Sequence, residues 1–269
     1  MSVASIKKLH DLTGMGMHVC QKAWKETGDI EKAIEYLREQ GLLKAASLTS
    51  RETNEGIVAA IKHKHKAVIL KMSCETDFAA KAPEFINLTE SILEICSQHD
   101  VSTPDDLPED GKKTISLAAG QQIKENVFLE KIHTIHLSGD EKAVIYYHSK
   151  KSNHTCEKAC IVKYKGEGAG AEQTAYDIAM HIIANDTQYH TEQDIPNAIM
   201  SKERELLLSK HTGKPEHVLA KITESGMKTF LTNSVLKHQL FVKDDSKTIE
   251  QLCKANDIHL LEFYKMSVK

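Results

Sequence analysis

The sequence predicts an α+β protein built from a small helical module, an antiparallel-sheet core and an inserted antiparallel helical hairpin. Three observations predict it. The first 46 residues carry apolar side chains at helical spacing. After Gly56 the period changes to short strand-like runs joined by turns, with helices between groups of strands rather than alternating with single ones. From Pro196 to about Leu236 the chain reads as two helices with a glycine and a proline at the break.

Taken in order, residues 1–46 read as three short helices. Met17, Cys20, Ala23 and Trp24 share one face, and Ile30, Ala33, Ile34 and Leu37 another. Asp29 is placed to cap the third helix and Gly41 to stop it. The joint Thr13-Gly14-Met15-Gly16-Met17 combines glycines suited to a tight turn with methionines that offer adaptable apolar surface. So small a helical module buries little by itself and suits docking.

Residues 47–55 form a polar linker, and 56–138 the first part of the core. Apolar runs at 57–61 and 67–72 flank His63-Lys64-His65, the pattern of a β-hairpin. Its second strand leads straight into Glu75-Thr76-Asp77-Phe78, and Pro83 then opens a helix carrying Phe85, Leu88, Ile92 and Ile95. An acidic loop at 99–111, a helix and a strand-like stretch at 126–137 complete this part. The second part comprises 139–195 and 237–269, with the hairpin of 196–236 inserted between them. It holds strands at 143–148 and 159–164, a glycine-rich link, and a helix at 171–184. The hairpin breaks at Thr212-Gly213-Lys214-Pro215, with Ile199, Leu206 and Leu207 facing Leu219, Ile222 and Phe230. A strand at Leu240–Val242, a helix start at Asp244-Asp245-Ser246 and a strand at Ile258–Met266 then complete the interrupted sheet.

A charged fraction of 27% beside a hydrophobic fraction of 41% is that of an ordinary water-soluble chain. No apolar run is long enough to span a bilayer, and the first residues lack the apolar stretch of a secretory signal, so a cytoplasmic protein with no membrane partner is expected. Its 6 cysteines are accordingly read as reduced thiols. A net charge of -3, with lysine clusters only at apparent turns, argues against direct binding of nucleic acid and for a protein or small-molecule partner.

Chemistry-bearing signals are few. His154, Cys156 and Cys160 stand close together, but the cysteine gap is not that of a structural zinc site and no second ligand pair matches it. No metal or other cofactor is expected. His63 and His65 read as solvated turn residues, and His181 as a packed helix histidine. Gly166-Glu167-Gly168-Ala169-Gly170 lacks the lysine and hydroxyl residue that close a phosphate loop, and no set of nucleophile, base and oxyanion donors assembles. Asp77-Phe78 stands out at a strand-to-helix junction among small residues. Two readings stand side by side: an exposed tip that a partner uses, or a core phenylalanine with Asp77 as an ordinary helix cap.

Several segments in order resemble the elongation factor Ts family: Leu12 to Met17 with Cys20 and Lys22; Gly28 to Ile34; Cys74 to Lys81; Lys124-Glu125-Asn126; Tyr147-His148; Ile178 to His181; Gly213-Lys214-Pro215; and Phe241 to Asp244. The resemblance covers nearly the whole chain. It implies an amino-terminal domain of ubiquitin-associated-like fold and a core of two related subdomains. It also implies a guanine nucleotide exchange factor, not an enzyme, whose partner is the GTPase elongation factor Tu.

By the same resemblance, Thr76, Asp77, Phe78 and Ala79 would form the tip that disturbs the GTPase magnesium site. Met17, His18, Lys22, Ile123, Lys124 and His148 would make further partner contacts, and the hairpin is a candidate surface for pairing of two copies. Ala79 stands where the family usually has Val, and Lys124 where it often has Gly. Contacts of the extra carboxy-terminal helix found in some members are not carried over. Two rival functions remain beside this one: an adaptor without exchange activity, and a metal enzyme using the Cys/His cluster.

Overall fold

The computed structural model describes residues 3–13, 17–46, 48–49, 51–168, 170–211 and 215–268. The Gly14-Met15-Gly16 turn and the break at Thr212-Gly213-Lys214 therefore lie outside the described residues. In chain order the first elements are α1 (Val3–Thr13), α2 (Met17–Thr27), α3 (Ile30–Ala46), β1 (Glu55–His63), β2 (Lys66–Cys74), α4 (Asp77–Lys81) and α5 (Pro83–Gln98). There follow α6 (Glu109–Leu117), a π-helical turn at Ala118–Ile123, β3 (Phe128–His136), β4 (Lys142–His148), β5 (Thr155–Cys156), β6 (Lys158–Lys165) and α7 (Ala171–Ala184). Last come α8 (Asn197–Ser209), α9 (Glu216–Ser234), β7 (Leu240–Phe241), β8 (Asp244–Thr248), α10 (Ile249–Ala255) and β9 (His259–Ser267). This mixture of helices and sheets is the predicted α+β class.

The chain divides into two compact units: residues 1–136, 149–159 and 266–269 form the first, and 137–148 with 160–265 the second. Within the first, the three amino-terminal helices bury Leu9, Cys20, Ala23, Ala33 and Leu37 among themselves. Asp29 caps α3 as expected, its carboxylate accepting from the Lys32 amide at 3.0 Å. Gly41 does not stop the helix, which runs on to Ala46. Its lack of a side chain serves packing instead: a Cβ there would sit 2.3 Å from the Gln121 amide nitrogen, which donates to the Leu37 carbonyl.

The first unit's sheet has the order β3-β2-β1-β5, antiparallel throughout. The tight turn between β1 and β2 puts Lys64 in the left-handed region at φ 51. These central strands are buried along most of their length, and α5 covers them with Phe85, Leu88 and Ile92. Two-residue β5 pairs with β1, too short to leave a periodic trace in the sequence.

In the second unit β4, β6 and β9 form a sheet in the order β4-β6-β9, so the tail does rejoin the strands that precede the hairpin. Ala175, Ile178, Ala179 and Ile182 of α7 pack in its core. Asp244-Asp245-Ser246 does not start a helix. It belongs to β8, and the start falls at Thr248, whose hydroxyl accepts from the Gln251 amide while Gln251 returns the bond in a capping box. Helices α8 and α9 approach where Gly226 leaves room for Leu207. Met227 is the one buried residue among the described residues of the two, because a two-helix arm has no third layer to cover it.

Candidate functional site

Strand β2 ends on buried Cys74, whose Sγ donates to the Thr76 carbonyl at 3.3 Å; burial pushes that thiol up to about 12, with the Glu125 charge adding to it. Thr76 is extended (φ -124, ψ 155), and its Oγ1 accepts from the Ala79 amide at 3.2 Å. That bond makes Thr76 the N-cap of α4. Asp77 and Phe78 are then the first two helical residues. Five residues later the helix is over, because Pro83 excludes helical geometry at the preceding residue and Ala82 is extended (φ -70, ψ 138). Pro83 starts α5 at once.

So short a helix has room for one buried face. Ala79 and Ala80 occupy it, and Phe78 is turned outward at 81% exposure. The two readings of Asp77-Phe78 part here: the aromatic is at the surface, and the cap is Thr76 rather than Asp77. Asp77 pairs with Lys81 at 2.7 Å, and the hydrogen bond from that ammonium holds its carboxyl below the usual carboxylate range. The helix N-terminus favours the same charge.

Beneath the tip lies a second segment that the sequence did not connect to it. The half-buried Glu125 carboxylate accepts from the Glu75 amide at 3.1 Å, the Thr76 amide at 3.0 Å and the Thr76 hydroxyl at 2.7 Å. Glu75 reciprocates by accepting from the Asn126 amide at 2.6 Å, while Arg51 donates to Glu75 at 3.4 Å. Asn126 donates on to the Arg51 carbonyl at 2.8 Å, so the predicted linker is tied down at this point. Lys124, which ends the π-helical turn at φ 64, sends the chain back toward Thr76 in the left-handed conformation that glycine takes without strain. No spacing rule links positions 49 apart, so no local pattern in the sequence marks Glu125.

The other expected contact residues are placed as follows. Met17, His18 and Lys22 are exposed on α2; His18 and Lys22 lie on the side away from buried Cys20 and Ala23, while Met17, on their face of the helix, is 44% exposed at its first residue. Ile123 packs half-buried against the sheet core and Lys124 is exposed. His148 is exposed at the end of β4 in the second unit, 3.4 Å from the Tyr146 hydroxyl. The structure joins Thr76–Ala79 to the segment around Lys124 through Glu125. Among the described residues no group of three or more His, Cys, Asp or Glu side chains is arranged to hold a metal ion. Cys156 and Cys160 are both buried, their thiols directed to backbone carbonyls. His181 is the packed histidine expected, bonded to Gln239 at 2.9 Å and held below the usual imidazole value by burial.

Fold and site together define an α+β protein that presents an aromatic tip on a capped, cross-tied helix. Comparison with known proteins is specific. The family model described as Elongation factor TS matches residues 75–269. Elongation factor Ts of Corynebacterium diphtheriae is 31% identical, over 99% of this chain and 98% of its own length. That of Paenarthrobacter aurescens is 34% identical over 93% and 92%, and that of Chlamydia trachomatis 30% over 93% and 90%. This chain belongs to the elongation factor Ts family, and so to the translation elongation factors. Among the described residues no helix is long and apolar enough to cross a membrane.

Proposed function

We propose that this chain is a guanine nucleotide exchange factor that binds elongation factor Tu in its GDP form and promotes release of GDP, acting in the cytoplasm. The observation that carries this reading is the outward Phe78 on a capped tip, since an exposed large aromatic is retained where a partner buries it. Pressed between packed helices of the GTPase, a phenylalanine is accommodated only if they move, because a close-packed interior has no spare volume. Asp77 brings a carboxylate that competes for the polar groups around the magnesium ion. Loosening the metal and phosphate contacts weakens nucleotide binding.

Coupling is reciprocal: whatever factor by which the protein weakens GDP binding, GDP weakens binding of the protein. Each tenfold corresponds to about 1.4 kcal/mol. No covalent bond changes, so the activity is exchange and not enzyme chemistry. Ala79 is buried under the tip, so the side chain that replaces the family's Val contributes packing there rather than contact area. Met17, His18, Lys22, Ile123, Lys124 and His148 supply the remaining contacts in this reading, and the exposed Leu206 and Leu208 of α8 are available for pairing of copies.

The test is release of labelled GDP from elongation factor Tu with and without the protein. Acceleration at micromolar concentration is expected; unchanged release favours the adaptor alternative.

A further inference from the structure

We infer that Glu125 is a positioning residue for nucleotide exchange, acting through Thr76 to aim Asp77 and Phe78; this rests on the exchange reading above. The geometry is specific. Both carboxylate oxygens are used, one by the Thr76 hydroxyl and the other by two successive amides, Glu75 and Thr76. The same Thr76 oxygen accepts from the Ala79 amide, so a single hydroxyl links Glu125 to the first turn of α4. A five-residue helix has too few internal hydrogen bonds to hold its own direction. Its orientation is therefore set at its start, by bonds to a charged group, which are shorter and stronger than neutral ones. Glu75 returning a bond to the Asn126 amide closes the clasp from the other side.

Glutamine replaces this carboxylate only with weaker bonds. Its one acceptor oxygen can still take the two amides, but its NH2 group can only donate to the Thr76 hydroxyl, so that bond is reversed and the charge that strengthens all three is lost. The tip would stay on the surface but lose its fixed aim. Contacts elsewhere on the protein would still form, so the loss falls on the rate within the complex more than on its formation.

The experiment uses the full chain in four forms: unaltered, Glu125→Gln, Phe78→Ala, and the two changes together. Labelled-GDP release from elongation factor Tu is measured across a range of factor concentrations. Glu125→Gln is expected to lower the maximal release rate roughly tenfold, the cost of one lost charge-assisted bond, with a much smaller change in half-saturating concentration. In the Phe78→Ala background it is expected to add almost nothing, since residues acting through one side chain are not additive. Amide hydrogen exchange at Thr76 and Ala79 is expected to speed up in Glu125→Gln.

An unaltered release rate in Glu125→Gln beside a defective Phe78→Ala overturns this inference alone, as does a full independent effect in the double variant. Failure of the unaltered protein to accelerate release overturns the exchange reading and this inference with it. If Glu125→Gln does not fold by circular dichroism, Thr76→Val carries the same test. It removes the bridging hydroxyl, and full exchange in it overturns the proposal.

Discussion

The α4 tip and the α8–α9 arm are both exposed helical projections, and they are anchored in opposite ways. The arm has helices of 13 and 19 residues and buries Met227, leaving Ile199, Leu206 and Leu208 at the surface. Its polar anchor is at its root. There Gln239 accepts from the buried His181 ring and from Thr187, and donates to the Asn233 carbonyl at the end of α9. The tip has five residues, but Ala79 and Ala80 are buried, Thr76 caps it, and Glu125 holds the cap. One anchor is neutral and fully enclosed, the other charged and half-open to solvent. The lesson is that a long arm gains reach from helix pairing and needs holding only at its base. A segment that must present a single side chain needs its direction specified bond by bond.

The largest expected effect tests the tip. The double change Asp77→Ala, Phe78→Ala should cut acceleration of GDP release by roughly a hundredfold, the loss of a central aromatic contact worth about 3 kcal/mol. Circular dichroism and the thermal midpoint should stay as in the unaltered protein, because Phe78 is 81% exposed and contributes nothing to the core. An unfolded double variant, or one that exchanges normally, would break the comparison.

Next comes the root of the arm. His181→Leu leaves the Gln239 side chain and the Val242 amide, now bonded to the His181 ring at 3.2 Å, without that partner. A cost of about 2–3 kcal/mol in denaturant unfolding is expected from burying unsatisfied polar groups. Proportionate loss of exchange at a temperature where the variant is folded would show that the two anchors are not separate.

A pH titration sharpens the contrast between neutral and charged anchors. Burial keeps the His181 imidazole below its ordinary value of 6.5, and the same cause acts on His190. The unfolded chain takes up these protons first as pH falls through about 6.5. Stability from this source is therefore full above that value and declines below it, until the folded groups titrate. Carboxylates held low by partners, such as Glu141 at about 2 beside Lys163, lose their contribution only in more acid solution, below the ordinary 4.5. Unfolding free energy measured between pH 6.5 and 5 should thus slope downward, and less steeply in His181→Leu.

The smallest effect is expected at Lys124. Its left-handed backbone at φ 64 costs a side-chain-bearing residue about 1 kcal/mol, so Lys124→Gly should raise stability by up to that amount. A fall in the unfolding midpoint would mean that the lysine side chain contributes more than the conformation costs.

Much of the tip's local form was legible. Pro83 specifies both the extended Ala82 and the start of α5, whereas the cap falls at Thr76 and not at Asp77, because a separate short helix precedes α5. The hairpin of β1 and β2 followed from two apolar runs around a polar turn. Other positions misled for a physical reason. Gly41 has the chemistry of a helix stop, yet a neighbouring helix side chain occupies the space it frees. Asp244 to Ser246 have cap chemistry, yet they lie in β8, whose Asp244 and Thr248 pair with β7, and the cap falls at Thr248.

The sequence by itself determined what depends on dihedral preference and period: the α+β class, the hairpin of β1 and β2, and the start of α5 at Pro83. It also carried the ordered motifs that mark the elongation factor Ts family. Only the tertiary structure decided which way Phe78 points and what holds it there. Local rules leave an aromatic at the second residue of a helix equally able to face in or out. The choice was made by Ala79 and Ala80 filling the buried face, and by a carboxylate 49 residues away that accepts from the Thr76 hydroxyl. Hydrogen bonds between distant segments depend on where the fold brings the backbone, which no single stretch of sequence specifies.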